Sequence, residues 1–398
     1  MFSTRSSSPT GSGCSRKNFP CSTSSSAVEA ISLIRSRGDV MKRRDLLQGA
    51  LAAGTLPMLP FGSAPARAAS QDQPIVVEGL FAGTIRLSHL RGMQQGGVHC
   101  GVAGGPSDMA SFAALLGFFD RYKDEVVLAK SVADIREARR AGKISNVFCW
   151  QAADALGQQF NSPLGTSATA LRAFHEVGLR IVGLCYNTVN AFGGGCLEPT
   201  VGLTRAGHRL VEEIHRLKIV LDVGGHTGEQ TSLDAIAVSR GVPVICSHTN
   251  VASIANNNRC ISDRVIDAIA ATGGVIGITA VNDFHVRGRG NTGRVPHVGI
   301  DAHIDQYEYI RKRVGIDHVG MGTDFVDGMP IPYDGGVNRD IIPLDMIDEP
   351  WKFIDGFGSI GELPNLIAGF KRRGWSDADL AKAMGGNWLR VYRQVWGG

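Results

Sequence analysis

Short apolar runs rich in Val and Ile alternate along the chain with longer stretches in which apolar positions recur every three to four residues. The runs fall at 75–80, 97–103, 145–151, 180–185, 219–224, 243–248, 274–279 and 317–323. Each is too short for a helix and nearly continuous in its apolar character, which predicts strands buried on both faces. Between them, 205–217 and 262–272 read as amphipathic helices. The second begins Ser262-Asp263 and places Val265, Ile266, Ile269 and Ala270 on one face. Eight strand–helix units predict an α/β fold of the (β/α)8 TIM-barrel type, in which chemistry sits at the carboxyl ends of the strands. A doubly wound open sheet is the competing arrangement, but no GxGxxG fingerprint follows the first strand.

Ahead of this body the pattern changes. Residues 1–40 are Ser-rich, hold no sustained apolar period and read as low-complexity, either disordered or not translated. From Met41 the chain runs Met41-Lys-Arg-Arg-Asp-Leu-Leu-Gln, then an apolar stretch from Gly49 to Phe61, then Ala66-Arg67-Ala68. That is the basic, apolar and small-residue order of a secretory signal. Arg43-Arg44 followed by Asp45-Leu46-Leu47 points to twin-arginine export and to a periplasmic or secreted location. The apolar stretch is shorter than the roughly 20 residues a spanning helix needs, so no stable membrane insertion is expected after cleavage. The expected organisation is therefore 1–40 low-complexity, 41–68 signal peptide and 69–398 a single barrel domain.

With 398 residues, 43% of them hydrophobic, the chain can bury one large core. The formal charge of +4 owes much to the basic residues before position 70. The body is close to neutral and lacks the basic stripe that nucleic acid requires. Of the eight cysteines, Cys14 and Cys21 lie in the leader and the others show no CxxC spacing, which argues against a zinc ribbon or redox motif. Cys149, Cys185 and Cys246 sit inside apolar runs and read as free, core-packed thiols; Cys196 could bridge to another loop cysteine in an oxidising compartment.

On the barrel reading, the residues at the ends of the apolar runs share one mouth. They are Leu80, Ala82, His99, Gln151, Tyr186, His226, His248 and Asp324. Two histidines and an aspartate from the fifth, sixth and eighth strands form a set suited to a metal ion, and the aspartate could instead take a proton from an attacking water. A single strand-end histidine is commonly a hydrogen-bonded structural residue; three separate segments converging on one mouth favour function. His89, His175, His208, His215, His285, His303 and His318 fall on helices or loops without that coincidence. Arg259 could grip a substrate carboxylate in a bidentate contact, although its spacing alone fits a solvated loop arginine equally well.

Several segments together resemble the membrane (renal-type) dipeptidase family, peptidase family M19, over almost all of residues 75–397. They are Tyr186-Asn-Thr-Val-Asn-Ala-Phe-Gly-Gly-Gly-Cys-Leu-Glu with Gly202-Leu-Thr, then Asp222-Val-Gly-Gly-His, similar to a D-x-S-H strand with one residue more, and Pro243-Val-Ile-Cys-Ser-His. Gly320-Met-Gly-Thr-Asp and the stretch from Leu363-Pro-Asn-Leu to Gly385-Gly-Asn-Trp-Leu-Arg-Val complete the set. The resemblance implies that His226 and His248 are metal ligands, that Asp324 handles the nucleophilic water, that Arg259 holds the substrate carboxylate, and that the chain forms a homodimer. Departures are as informative. The family's Asp-Gly-His-x-Asp on the first strand appears as Glu78-Gly79-Leu80-Phe81-Ala82, its zinc-bridging glutamate as Gln151, and its substrate-binding histidine as Tyr186, whose hydroxyl could still donate to an oxyanion.

A two-ion site missing a bridge and two terminal ligands should lose at least one ion. The expectation is a mononuclear zinc hydrolase of an amide or peptide bond in a small, dipeptide-like substrate bearing a carboxylate. His226 and His248 would be ligands, helped by Asp324 or Gln151; Tyr186, Arg259 and Gln151 would contact substrate. Asp324, if not on the metal, would be the general base, and Glu78 a substitute carboxylate. The alternative is a metal-free barrel that binds a small molecule or does non-hydrolytic acid–base chemistry with the same residues.

Overall fold

The first strand, β1 (Val77–Phe81), is buried along its whole length, as its unbroken apolar character requires. The computed structural model describes residues 74–156, 170–327, 338–348 and 351–397, and Arg67–Gly398 is one compact unit. The leader expected over 1–68 lies outside the described residues. Nine further strands follow: β2 (Cys100–Gly104), β3 (Val126–Leu128), β4 (Ile144–Trp150), β5 (Leu179–Gly183), β6 (Val220–Asp222), β7 (Val244–Val251), β8 (Cys260–Ile261), β9 (Ile276–Ile278) and β10 (Val319–Met321).

Eight of these strands run in the order β1-β2-β4-β5-β6-β7-β9-β10, and all of their pairings are parallel. Just beyond β10 the chain returns to β1: Asp324 N donates to Leu80 O at 3.1 Å and Ala82 N to Phe325 O at 3.0 Å. The sheet closes there into the eight-stranded barrel that the apolar runs predict. Those eight runs match the eight barrel strands. The two short strands without a predicted counterpart lie off the main path, β3 against the start of β4 and β8 against the end of β7. Three and two residues carry too little periodicity to be read.

The helices follow from caps and apolar faces. In the helix Arg205–Arg216, the Thr204 hydroxyl accepts from Gly207 N, and Leu210, Val211 and Ile214 are buried. The helix Asp263–Ala271 buries Val265, Ile266 and Ile269, the face the sequence predicts. Among the described residues, no helix is long and apolar enough to cross a membrane.

The barrel interior holds Val77, Leu80, Val102, Val147, Ile181, Val220 and Ile245 around Trp388. Trp388 comes from the helix Asn387–Trp396, and its indole N–H donates to Met321 O at 3.2 Å. A Cβ on Gly79 or Gly320 would overlap that indole, so glycine on β1 and β10 makes room for the ring. This plug fills the lower barrel and leaves chemistry to the opposite, carboxyl-terminal mouth. Among the described residues all six cysteines are free and buried, Cys196 included.

Candidate functional site

Five strand ends supply the mouth. Gln151 follows β4, Tyr186 follows β5, His226 follows β6, His248 lies within β7, and Asp324 follows β10; Arg259 arrives from the turn into β8. The structure brings these six residues together. Gln151 Oε1 lies 2.9 Å from His226 Nε2. The Tyr186 ring stacks on the His226 imidazole at 3.9 Å, and His226 meets His248 at 4.9 Å between ring centres. Arg259 Nη2 lies 3.8 Å from Asp324 Oδ2.

Other residues considered from sequence behave otherwise. His99 precedes β2 at the amino-terminal end of the barrel, where its Nδ1 accepts from Val76 N at 2.9 Å; the strand Cys100–Gly104 only begins after it, so His99 lies a whole strand from the mouth. Glu78, considered as a substitute carboxylate, points out of the barrel to His89 at 2.8 Å and is no mouth ligand. Leu80 is wholly buried in the barrel interior, so apolar packing takes the place of the family's first-strand imidazole.

The hydrogen-bond partners fix the protonation of both histidines. Asn187 Nδ2 donates to Ile341 O at 3.0 Å, which turns its Oδ1 towards His226 Nδ1 at 2.6 Å. Nδ1 of His226 therefore carries the proton and Nε2 a free electron pair. For His248 the chain is longer. Ser247 Oγ donates its single proton to Asp222 Oδ2 at 2.5 Å, so it accepts from His248 Nδ1 at 2.7 Å. His248 Nε2 is buried with no hydrogen-bond partner. Burial, then Arg259, holds both imidazoles well below the usual histidine range, with His248 adding to the effect on His226. Both are thus neutral donors of an electron pair, the form that binds a cation.

Gln151 extends the set. Its Nε2 donates to Ala82 O at 3.2 Å, which commits Oε1 to face the His226 electron pair. Two electron pairs facing each other at 2.9 Å repel, unless a cation binds both. Ligand atoms each about 2.1 Å from one tetrahedral zinc lie roughly 3.4 Å apart, so the two atoms would separate by about half an ångström on binding. His226 Nε2, Gln151 Oε1 and the unpartnered His248 Nε2 are donor atoms of the kind that bind a cation. They do not fit two: Leu80 and Ala82 offer nothing on the first strand, and an amide oxygen is a weak bridge between cations. Among the described residues no group of three or more His, Cys, Asp or Glu is arranged to hold a metal. Gln151 Oε1, an oxygen outside that residue set, faces His226.

Asp324 and Arg259 form the facing half. Burial raises the Asp324 carboxyl to about 7 against the pull of Arg259; at 3.8 Å the guanidinium attracts without donating a hydrogen bond. Asp324 also holds a left-handed backbone, φ 61°. Arg259 is 2% exposed, lies over the Phe284 ring at 5.1 Å, and has neither Nη atom in a hydrogen bond. A buried guanidinium with unused donors is poised for an anion. A Cβ on Gly225 would overlap Arg259 Nη1, so the additional glycine between Asp222 and His226 gives the guanidinium its path. Burial, and then Asp324, pushes the Tyr186 hydroxyl up to about 12, which keeps it a donor.

Asn187, Asp222 and Ser247 went unrecognised as site residues from sequence. A signal was present, since Asp222 and Ser247 interrupt apolar strand runs and a buried polar group needs a partner. Asn187 had none beyond its place beside Tyr186.

Comparison with known proteins agrees with this geometry. A sequence model of the membrane dipeptidase family (peptidase family M19) matches residues 114–340 and 347–396. Dipeptidase tcpJ of Claviceps purpurea is 28% identical over 69% of this chain and 56% of its own length. Dipeptidase verJ of Clonostachys rogersoniana is 28% identical over 69% of this chain and 62% of its own length. The chain thus spans well under two thirds of these curated relatives. An amidohydrolase from Pseudomonas aeruginosa superposes with a TM-score of 0.70 at 28% identity, over 82% of this chain and 97% of that one. A metallopeptidase from Rhodobacter sphaeroides, crystallised with a phosphinate mimic of the dipeptide L-Ala-D-Ala, has the same fold; its TM-score is 0.64 at 22% identity, over 81% of this chain and all of that one.

Proposed function

The chain belongs to the membrane dipeptidase family, peptidase family M19, and from that premise we propose that it hydrolyses the amide bond of a small, dipeptide-like substrate at a site built for one metal ion. The observation that carries this reading is the pairing of an electron-pair cluster with an unused cation: His226 Nε2, His248 Nε2 and Gln151 Oε1 on one side, and the buried Arg259 guanidinium on the other. His226, His248 and Gln151 would hold the ion. When bound, zinc polarises the scissile carbonyl and makes water acidic enough to attack at neutral pH.

The remaining steps belong to the chain's own groups. Arg259 takes the substrate carboxylate in two parallel N–H···O bonds and so sets which end of the substrate enters. Asp324, raised to about 7 by burial, takes the proton of the attacking water and is a strong enough acid to return it to the leaving amine. Tyr186, kept protonated, donates to the oxygen that becomes negative. Asn187, and Asp222 through Ser247, keep the imidazole electron pairs turned inward.

Delivery across a membrane by the twin-arginine route is part of the same proposal and rests on Arg43-Arg44 and the apolar stretch that follows. Blocked export in an Arg43→Lys/Arg44→Lys variant, read by cell fractionation, tests it. Metal content by plasma mass spectrometry, beside turnover of dipeptides and N-acyl amino acids, tests the site. The expected result is about one zinc per chain, lost in His226→Ala and His248→Ala, with turnover confined to substrates that carry a free carboxylate. Absence of metal together with unchanged activity in His226→Ala sinks the hydrolase reading and turns attention to a metal-free binder using Arg259.

A further inference from the structure

The barrel is closed on its outer side by a buried ionic cluster that none of the steps above uses. His89, 1% exposed on the helix Leu87–Gly96, stands between two carboxylates: its Nε2 is 2.8 Å from Glu78 Oε2 and its Nδ1 3.3 Å from Asp327 Oδ2. The Phe81 ring stacks on the imidazole at 3.7 Å. The Thr323 hydroxyl donates to Glu78 Oε1. Glu78 is on the first barrel strand, whereas Thr323 and Asp327 flank the turn that follows the last, so the cluster ties the two ends of the barrel.

Asp324 sits inside that tie. Its backbone is left-handed, φ 61°, a conformation that is strained for a non-glycine residue and persists only where its surroundings hold it. On one side Thr323 is held by Glu78, and Phe325 N also reaches the Thr323 hydroxyl, at 3.3 Å. On the other, Asp327 is held by His89 and accepts from Ile360 N at 3.4 Å. Asp324 N itself donates to Leu80 O at 3.1 Å. We propose that Glu78, His89 and Asp327 are positioning residues that clamp the segment 323–327 and hold the Asp324 carboxylate in the mouth.

Burial pushes the His89 imidazole down, but Glu78 and Asp327 together outweigh it and raise it to about 9. The clamp is thus an imidazolium with two counter-charges at neutral pH. It replaces the function that a first-strand metal ligand would serve at this seam: the strand keeps no ligand at Leu80 or Ala82, yet remains fixed relative to Asp324 through its outward face. The consequence for turnover rests on Asp324 being the proton acceptor proposed above, whereas the positioning itself is testable without substrate.

The experiment is amide hydrogen exchange by NMR on the folded protein and on Thr323→Val, Thr323→Ser and His89→Gln. Thr323→Val changes little more than the hydroxyl, and Thr323→Ser restores it. Expected is at least about tenfold faster exchange at Asp324 N–H in Thr323→Val and His89→Gln, with recovery in Thr323→Ser and no change at Val147 on β4, two strands from the seam. If exchange at Asp324 is unchanged in Thr323→Val, or rises equally at Val147, the positioning role is overturned and the cluster is an ordinary stabiliser. Where His89→Gln does not fold, the Val and Ser pair decides alone. With an active preparation, Thr323→Val lowers kcat and leaves KM. A wild type without turnover counts against the proposed hydrolysis and leaves the exchange result standing.

Discussion

Replacing Asp222 with Asn should switch His248 off as a ligand without touching it. In the native site Asp222 Oδ1 accepts from Gly224 N at 2.7 Å and Ser247 N at 2.8 Å, and Oδ2 accepts the Ser247 hydroxyl proton. An asparagine keeps its oxygen on the two backbone N–H groups, so its NH2 falls where Oδ2 was and donates to Ser247 Oγ. The hydroxyl proton then has to go elsewhere. Its nearest acceptor is His248 Nδ1, 2.7 Å away, and accepting there moves the imidazole proton to Nε2 and removes the inward electron pair. Loss of a correctly oriented outer partner costs metal sites roughly 10–100-fold in affinity, or about 1.4–2.8 kcal/mol. The assay is zinc titration against a chromophoric chelator, with long-range 1H–15N NMR of the imidazoles to read which nitrogen carries the proton. Unchanged affinity with His248 still protonated on Nδ1 would refute the relay, because the hydroxyl would then be shown not to dictate the tautomer.

Asp324, raised from 3.8 to about 7 by burial, favours its neutral form in the folded state. Its contribution to stability is therefore full below pH 4 and lost as pH rises through about 7. Urea melts of metal-free protein between pH 4 and pH 8 should show Asp324→Asn gaining on the wild type progressively, with the full gain reached above about pH 7, while turnover in the wild type rises through about pH 7 and is abolished in the variant. Gly225→Ala forces a methyl group into the Arg259 guanidinium; KM for carboxylate substrates should rise at least about tenfold with kcat less affected, and equal effects on neutral analogues would argue against Arg259 as the carboxylate grip. Leu80→His with Ala82→Asp and Gln151→Glu should bind about two zinc ions per chain where the wild type binds about one, and the single changes should not; a triple variant still at one ion would mean that the first strand no longer faces the mouth.

The barrel was legible because each strand is buried on both faces and so prints an apolar run in the chain. Closure, the mouth and the convergence of Gln151, Tyr186, His226, His248, Arg259 and Asp324 followed from that rhythm together with family resemblance. The misreadings have a common cause. His99 was placed at the end of an apolar run whose strand in fact begins only at Cys100, and Glu78 was weighed as a carboxylate only for its closeness in sequence to Leu80 and Ala82, whereas the face it occupies depends on strand alternation and on the irregular register between Glu78 and Phe81. The side-chain relay Asp222–Ser247–His248 and the cluster around His89 join positions far apart in sequence through bonds that leave no periodic trace. Trp388 as the barrel plug was hidden for a related reason, since the glycines that admit it are on β1 and β10.

The altered positions at the mouth make physical sense as a group. Ala82 and Gln151 stand where the family has an aspartate and a glutamate, so this chain has removed two negative charges from a buried site. Under the proposed one-ion site, one divalent cation fewer removes two positive charges, and the balance is kept. Had the carboxylates gone while both ions stayed, the buried site would hold uncompensated charge, which costs several kcal/mol per ion in a protein interior. Had one ion gone while the carboxylates stayed, the surplus would have fallen on the acids, and at least one would take up a proton. Leu80 completes the adjustment, because a vacated imidazole position beside Val77 and Val102 would be a cavity unless an apolar side chain filled it. The two imidazoles at the mouth have electron pairs oriented by partners of their own, His226 by Asn187 and His248 by Ser247. A mouth drifting out of use would have no reason to preserve those partners, a buried Arg259 without hydrogen bonds, or an aspartate in a left-handed backbone. Their joint presence favours a site rebuilt around one ion over one that has lost its chemistry.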